Sequence, residues 1–484
     1  MGINLGIWAL HSGEENAAAI EDPSKCCSYK EARARAARIA AGLYAAGVRP
    51  GDSVALLVSN SVRAALSVLG IWTAGASIIS FRTDLTSSEI ALCLDLWPAK
   101  WVLTSTHYAD RFAKSPSHIC VLDIDEVEMG GDSFISPTVP LDTPAIVLFT
   151  SGSTGEPKAV IHSARSMASQ TVRREPYRAA TIASIGSAFN NVLQTLQAGG
   201  THIFLEESVT GSQLAKALLH HRAEQARLST NAVMSLVEAG QRLGPSVRRL
   251  ICGGDFVSAK FQQRASDALG LHVIQAYGAT EAFAMTRGNE ETPPGSIGRT
   301  LPQVELQLRS EEDGSVVSGV GQGLAWVRSP KLFMGYGNRG AIERPFDQDG
   351  WFKTGDVLRR DNDQNYYFLS RVTNYLKIKN EKVSSHEIED VLRRDAVVRN
   401  AYATCLKLSG ERDTVVAVLE LDQFDDHLAA RLRSLMDTNL STFKHPEIVY
   451  TTSSFPYSAA GKIDARALEV LIQSGRLRQI IPAS

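Results

Sequence analysis

Short apolar runs alternate with amphipathic stretches over most of this chain, and that alternation constrains its fold more than any other feature. "SVALLVS", "ASIISF", "WVLTS", "HICVLDI", "AIVLFT", "THIFLE", "RRLICGG" and "HVIQAYG" read as strands bounded by Gly, Pro or polar clusters. Between them "YKEARARAARIAAGLYAAG", "VRAALSVLGIWTAG", "SQLAKALLHH" and "KFQQRASDALG" read as helices. Apolar strands separated by helices predict parallel sheets with helices on their faces, an α/β fold. Ser28 with Glu31 is a capping box at the head of the first long helix, which Gly47 and Pro50 stop.

At 484 residues the chain exceeds one ordinary core. Residues 305–351 change to short strands and Gly-rich turns, expected as a small antiparallel or barrel-like subregion. After Arg371 the texture changes again. "YLKIK", "NAYATCLKL" and "TVVAVLEL" read as strands, "FDDHLAARLRSLMDTNL" as a helix, and "SSHEIEDVLRRDA" as a helix boxed by Ser384 and Glu387. The expected layout is a large N-terminal α/β domain, residues 1–371, with mixed parallel sheets and the small β subregion. A hinge joins it to a smaller C-terminal α+β domain, residues 372–484. No internal repeat is visible.

Charge narrows the partners. Fifty basic residues face 52 acidic ones without a basic block, so nucleic acid is not an expected partner. The most apolar stretch, residues 65–80, holds two glycines and is too short for a membrane span. "MGINLGIWALHSGEE" lacks the pattern of a signal peptide, Gly6 fails the myristoylation pattern, and "IPAS" is no peroxisomal address. The six cysteines form no C-x-x-C pair and are expected to be free, non-catalytic thiols in a reducing cytoplasm. The sequence leaves the oligomeric state open.

The stretch "VLFTSGSTGEPKAV", residues 147–160, carries the first chemistry. An apolar strand runs into Thr150, Ser151, Gly152, Ser153, Thr154 and Gly155, with Lys158 soon after. Glycines let a ligand approach the backbone, and hydroxyls with bare N–H groups wrap phosphate oxygens. A flexible Ser/Gly surface loop is the other reading. It is not a Walker A loop, because Glu156 and Pro157, not Lys, follow Gly155. Three further stretches could complete a nucleotide site: "AYGATE" (residues 276–281), "WFKTGD" (351–356) and "SAAGKIDAR" (458–466). Each alone is a common turn or an exposed lysine.

In this order and spacing, these stretches resemble the adenylate-forming superfamily of acyl-CoA synthetases, adenylation domains and luciferases. The resemblance also takes in "SYKEARARAARIAAGLYAAGVRPGDSVALLVSNS", "ICGGD" and "SRVTNYLKIKN…EIE", and so covers nearly the whole chain. It implies that a carboxylate attacks the α-phosphorus of ATP and that magnesium pyrophosphate leaves. It places Thr150, Ser151, Gly152, Ser153, Thr154, Gly155 and Lys158 around the β- and γ-phosphates, and Thr280 on the α-phosphate. Glu281 would ligate Mg²⁺, a hard cation suited to one carboxylate plus phosphate oxygens. Tyr277 would lie against the adenine opposite Gly253 and Gly254. Asp356 would accept from the ribose hydroxyls, with Arg371 assisting. Lys462 would reach the reacting carboxylate and α-phosphate as a mobile point charge. Thr280, Glu281 and Lys462 are the expected catalytic residues, and closure of two domains assembles the site.

The chain departs from the family pattern at Ala159, Ser370, Thr373 and Asn380, where Gly, Gly, a hinge carboxylate and Gly are usual. Three of these positions lie where the family turns its small domain and meets pantetheine. By analogy the acid pocket comprises Ser187, Ala188, Phe189, Asn190, Asn231, Met234, Gly253, Ala276, Gly278 and Ala282. "SIGSAFNNV" lacks the Asp that pairs with an α-ammonium, so an amino acid is not expected. Gly186, Ala188 and Gly253 leave room for a bulky apolar, aromatic or polycyclic acid. The resemblance thus implies an AMP-forming acid:CoA ligase using ATP, Mg²⁺ and CoA. Alternatives are an acid-activating enzyme serving a carrier protein or an amine, and a non-catalytic nucleotide or acyl binder. Nothing points to a luciferin.

Overall fold

The structure, a computed structural model, describes every residue except 1, 116–117, 130–133, 152–156, 171–174, 183–184, 207, 255–256, 373–374, 379–380, 407–413, 422, 458–462 and 482–484. Two large sheets carry the first part of the chain. In the eight-stranded sheet, Pro144–Ser151, Ser77–Ser80, Ser53–Leu57, Trp101–Thr104 and Cys120–Asp123 run parallel. Pro157–Ser163 folds back antiparallel on Pro144–Ser151, and Gly335–Asn338 and Ala341–Glu343 extend that edge. In the nine-stranded sheet, six parallel strands run from Val273–Ala279 through Arg249–Gly253, Gln225–Leu228, Arg178–Thr181 and Thr201–Phe204 to Ala18–Glu21. Phe283–Arg287 folds back antiparallel on Val273–Ala279.

The Gly-rich subregion becomes an antiparallel four-stranded sheet of Glu305–Arg309, Gly321–Arg328, Phe352–Arg360 and Tyr366–Arg371. After residue 371 come a hairpin, Tyr375–Ile378 with Glu381–Ser384, and a four-stranded sheet, Val398–Leu406, Thr414–Leu421, Ile448–Thr452 and Arg478–Ile481. Among the described residues no sheet combines strands from before and after residue 372. The molecule is therefore the α/β fold with a large N-terminal and a smaller C-terminal part that its sequence texture suggests. No helix among the described residues is long and apolar enough to cross a membrane.

Local chemistry explains the helix starts. Ser28 and Glu31 close the capping box at the head of Tyr29–Ala45, whose buried stripe is Tyr29, Ala32, Ala36, Ile39, Ala40 and Leu43. The box expected at Ser384 and Glu387 does not form. Ser384 Oγ is buried without a partner, and Lys444 Nζ takes the Glu387 carboxylate at 2.6 Å. That helix, Ser385–Leu392, is instead fastened by buried Glu389, which accepts from Arg393 and from the Ala403 backbone N–H.

The helix Ile185–Gln197 lies against one face of the nine-stranded sheet and buries Phe189, Val192, Leu193 and Leu196 in the same core as Phe204. Its C-terminal end is tied down by Tyr29, whose hydroxyl donates toward the carbonyls of Leu196 (3.0 Å) and Gly200 (2.8 Å). Tyr29→Phe removes that donor from both carbonyls, of which Leu196 still accepts from Gly199 N–H, so it should destabilise the protein by about 1–3 kcal/mol. The expected reading is a lower urea midpoint with an unchanged m-value; an unchanged midpoint would show that the bond contributes nothing.

Candidate active site

The turn at Thr280 and Glu281 joins the antiparallel strands Val273–Ala279 and Phe283–Arg287. Three features fix it. Gly278 has no room for a side chain, since a Cβ there would collide with the Phe283 carbonyl. Phe283 itself is left-handed at φ +54° and stacks on His162, with ring centroids 4.0 Å apart. His162 Nε2 lies 2.7 Å from the Thr280 carbonyl. A carbonyl only accepts, so Nε2 carries the proton, and Nδ1 faces the Ser166 hydroxyl at 3.0 Å. His162 is fully buried, and burial lowers its pKa to about 4 against the raising effect of the Thr280 bond. The turn therefore rests on a neutral imidazole at pH 7.

Glu281 is held from the other side. The Tyr336 hydroxyl donates to its Oε1 at 2.9 Å, and its backbone carbonyl accepts from Phe333 N–H at 2.8 Å. The Lys158 ammonium lies over the Tyr336 ring, 5.2 Å from the centroid. Lys158 pairs with Thr150 in the antiparallel register, and Pro157 pairs with Ser151. The ladder thus sets the two ends of the hydroxyl-rich loop side by side, and Tyr336 links that ladder to Glu281. Gly152, Ser153, Thr154 and Gly155 lie outside the described residues, as does the side chain of Ser151.

A second chain of bonds runs through Asp356. This carboxylate is 2 % exposed. It accepts from the Tyr277 hydroxyl at 2.7 Å and from Arg371 Nε at 2.6 Å. Asp356 and Arg371 face each other across their strands. Burial and the Asp356 charge push the Tyr277 phenol well above its usual range. Burial works against the Arg371 charge, but Asp356, Tyr277 and Glu281 together raise its pKa. Arg371 therefore lies in the field of both carboxylates, and its side chain is half exposed.

Gly253 pairs with Ala276 in the parallel register, and a Cβ on Gly253 would press to 2.7 Å from the Ala276 carbonyl. Next to it Gly254 is left-handed at φ +95° with open space beyond. A flat ligand has room there against backbone.

The acid-pocket expectations divide. Asn190 is buried, Asn231, Met234 and Ala276 are half-buried, and Gly278 is exposed. Ser187 and Ala188 lie on the helix Ile185–Gln197, and their side chains are outside the described residues. Phe189 and Ala282 are core: each is 1 % exposed, and Phe189 packs edge-on against Trp72 at 4.7 Å. Neither lines an open pocket. Lys462, Thr373 and Asn380 lie outside the described residues.

Two residues of the site were missed in the sequence. His162 shares a strand face with Lys158 by the two-residue period, and that count could have found it. Tyr336 joins that face only through its pairing with Val160, which no local pattern announces.

No group of three or more His, Cys, Asp or Glu able to hold a metal exists among the described residues. Glu281 fits the alternative, a hard cation taking one carboxylate and completing its shell with phosphate and water oxygens. No described residue bonds its Oε2.

The family model for AMP-binding enzymes matches residues 8–337. One component of the linear gramicidin synthase of Brevibacillus parabrevis is 28% identical over 505 aligned residues, covering 95% of this chain but 10% of that protein. The chain thus spans about a tenth of that much longer relative. The 2-succinylbenzoate–CoA ligase of Bacillus subtilis (strain 168) is 25% identical, covering 92% of this chain and 94% of that one. The solved structure of ATP-bound MatB from Rhodopseudomonas palustris superposes with a TM-score of 0.86 at 23% identity, over 98% of this chain and 99% of that chain. The match of the family model over most of the chain shows that this protein belongs to the AMP-binding enzyme family.

Proposed function

We propose that this enzyme activates a carboxylic acid with ATP and passes the acyl group to CoA. The observation that carries the reading is the convergence of three distant stretches. The Thr150–Lys158 ladder, the Thr280–Glu281 turn and the Tyr277–Asp356–Arg371 chain meet through Tyr336 and the field of Arg371. An acid oxygen attacks the α-phosphorus, and the bond to the bridging oxygen breaks with loss of pyrophosphate. The CoA sulfur then attacks the acyl carbon, its proton is lost, and AMP leaves.

Charge builds on the phosphoryl oxygens in the first step, so preplaced cations and donors do most of the work. Lys158 and the hydroxyl-rich loop hold the outer phosphates. Thr280 bonds the α-phosphate, and Asp356 and Arg371 seat the ribose, with the adenine between Tyr277 and Gly253–Gly254. Magnesium on Glu281 would neutralise the departing pyrophosphate. Lys462, on a small domain that begins near residue 372 and turns on a hinge, supplies the last cation when the domains close.

End-to-end agreement with a CoA ligase favours CoA over a carrier protein or an amine as acceptor. The departures at Thr373 and Asn380 fall in the region that serves the second step. Acyl-AMP formation is therefore expected to be intact, and the thioester step slow or dependent on a partner. The substrate is a bulky acid rather than an α-amino acid.

Lys462→Ala should lower acid-dependent pyrophosphate release by about 10²-fold or more while ATP still binds. Unchanged release would refute the assignment, and a non-catalytic binder would show no release to lose. His162→Ala should reduce kcat by about 10–10²-fold, because the Thr280 turn loses its support. His162→Gln, whose amide donates to the same carbonyl, should restore most of it; two equally poor variants would make His162 a packing residue only.

The same imidazole has a pH signature. Its folded pKa of about 4 lies below the ordinary 6.5. Its contribution to stability is therefore complete above pH 6.5 and is lost as the pH falls toward and through 4. The urea midpoint of the native protein should drop more between pH 7 and pH 4 than that of His162→Gln. Parallel curves would contradict the buried neutral imidazole.

A further inference from the structure

The sheet face that carries Gly253 and Ala276 also carries charge. In the parallel ladder Arg227 pairs with Ile251, and Ile251 with Ile274, so Arg227 shares the face of Gly253 and Ala276 two residues further on. Arg287 pairs with Ala276 and joins the same face. Thr181 also pairs with Arg227 and with Phe204, so His202 belongs to this face too. The helix Ile185–Gln197 covers it. From that helix Gln194, one turn after Asn190, accepts from Arg227 Nη2 at 3.1 Å.

The polar groups gathered here are incompletely paired. Arg227 Nε is buried without an acceptor. Asn191 Oδ1, three residues from Gln194 on the helix, is buried without a donor, and both ring nitrogens of His202 are buried without a partner. No described residue forms an ion pair with Arg227. Beyond burial, Tyr177 favours its charge and Arg287 repels it. Burial lowers the guanidinium pKa to about 10, so it stays charged at pH 7. The same surroundings keep His202 neutral, with burial first and Arg227 second as causes. Arg227 is only half-buried, so part of it reaches open space. A half-buried cation with a free N–H and a like-charged neighbour destabilises the fold unless an anion completes it. A planar fork of donors suits a carboxylate best.

We infer that the acid substrate carries a second carboxylate at its far end, and that Arg227 binds it from the floor of the acid pocket. This rests on the acid-activating reading above and narrows its bulky acid to a dicarboxylic one. Arg287 adds positive field beside Arg227, and Asn190 lies one turn before Gln194 on the helix that covers this face. The carboxylate that reacts faces the Thr280 turn, and the one at the floor stays unmodified.

The test uses aliphatic and benzene dicarboxylic acids, each beside its monomethyl ester, with pyrophosphate release and calorimetric binding measured separately. The native enzyme should prefer the best diacid over its ester by about 10²-fold or more in kcat/KM, since an unmatched buried donor rejects the analogue that lacks its partner. Arg227→Met should abolish that preference by slowing the diacid alone. Arg227→Lys, which keeps charge but loses the fork, should fall between and guards against a folding artefact.

Equal use of diacid and ester by the native enzyme would overturn the inference while leaving acid activation intact. Diacid binding that depends on Arg227 but releases no pyrophosphate would support the floor site and overturn acid activation instead. Failure of every diacid to bind would overturn the inference.

Discussion

A single buried carboxylate, Asp356, joins the parts of this site. A charge at 2 % exposure is costly to keep out of water, and it persists only where bonds replace its hydration. Here Tyr277 supplies one from the nine-stranded sheet and Arg371 one from the four-stranded sheet, both short. The pairing locks the two sheets together beside the Thr280–Glu281 turn. It also places Arg371, the last residue before the textural break at 372, where its charge reaches Glu281. Changing Asp356 would leave the buried Tyr277 hydroxyl without its acceptor and the half-exposed Arg371 without its partner, so the position cannot be varied for ligand contact alone.

Around that anchor the site separates charged groups from neutral ones. Lys158 and Arg371 are exposed enough to meet phosphate oxygens. The residue that supports the Thr280 turn from beneath, His162, is uncharged. A lysine there would hold the same carbonyl, but would place a charge where burial already disfavours one. A neutral imidazole donates one directed bond and adds a flat surface for Phe283. Positioning is thus assigned to hydrogen bonding and packing, and stabilisation of developing charge to groups that solvent or ligand can reach.

What could be read from the sequence follows how local each interaction is. The parallel strands and the Ser28–Glu31 box depend on neighbours within a few residues, and they form as read. The Ser384–Glu387 pattern looks the same in sequence, but Lys444 arrives from a distant segment and takes the acid. The short strand Gly335–Asn338 leaves its Gly-rich surroundings to edge the eight-stranded sheet, and only that move brings Tyr336 to Glu281. Phe189 and Ala282 were placed in the pocket by position along the chain, whereas their side chains are used by the core. Small side chains at Gly186, Ala188 and Gly253 signalled volume. The charge of Arg227 became visible only when register placed it on the face of Gly253 and Ala276.

Polar side-chain contacts between described residues before and after 372 are of a kind that can be remade, beside a ring contact of Phe368 with His386 at 5.6 Å. Lys260 Nζ donates to the carbonyls of Arg393, Arg394 and Asp395, at 3.2, 3.1 and 3.4 Å, where the helix Ser385–Leu392 ends. Arg399 pairs with Glu238 at 3.1 Å. A lysine at a helix C-terminus offsets the orphan carbonyls and the dipole there, at about 0.3–1 kcal/mol near the surface. A solvated ion pair contributes about 0–1 kcal/mol. Against these, the buried Asp356 network and the apolar cores on either side are far stiffer. Giving up these two polar contacts therefore sacrifices little, while deforming either part internally sacrifices much. The reaction proposed above, in which Lys462 reaches a phosphate and a thiol is later admitted to the same site, would be served by that division, because contacts of this strength can be exchanged without deforming either part.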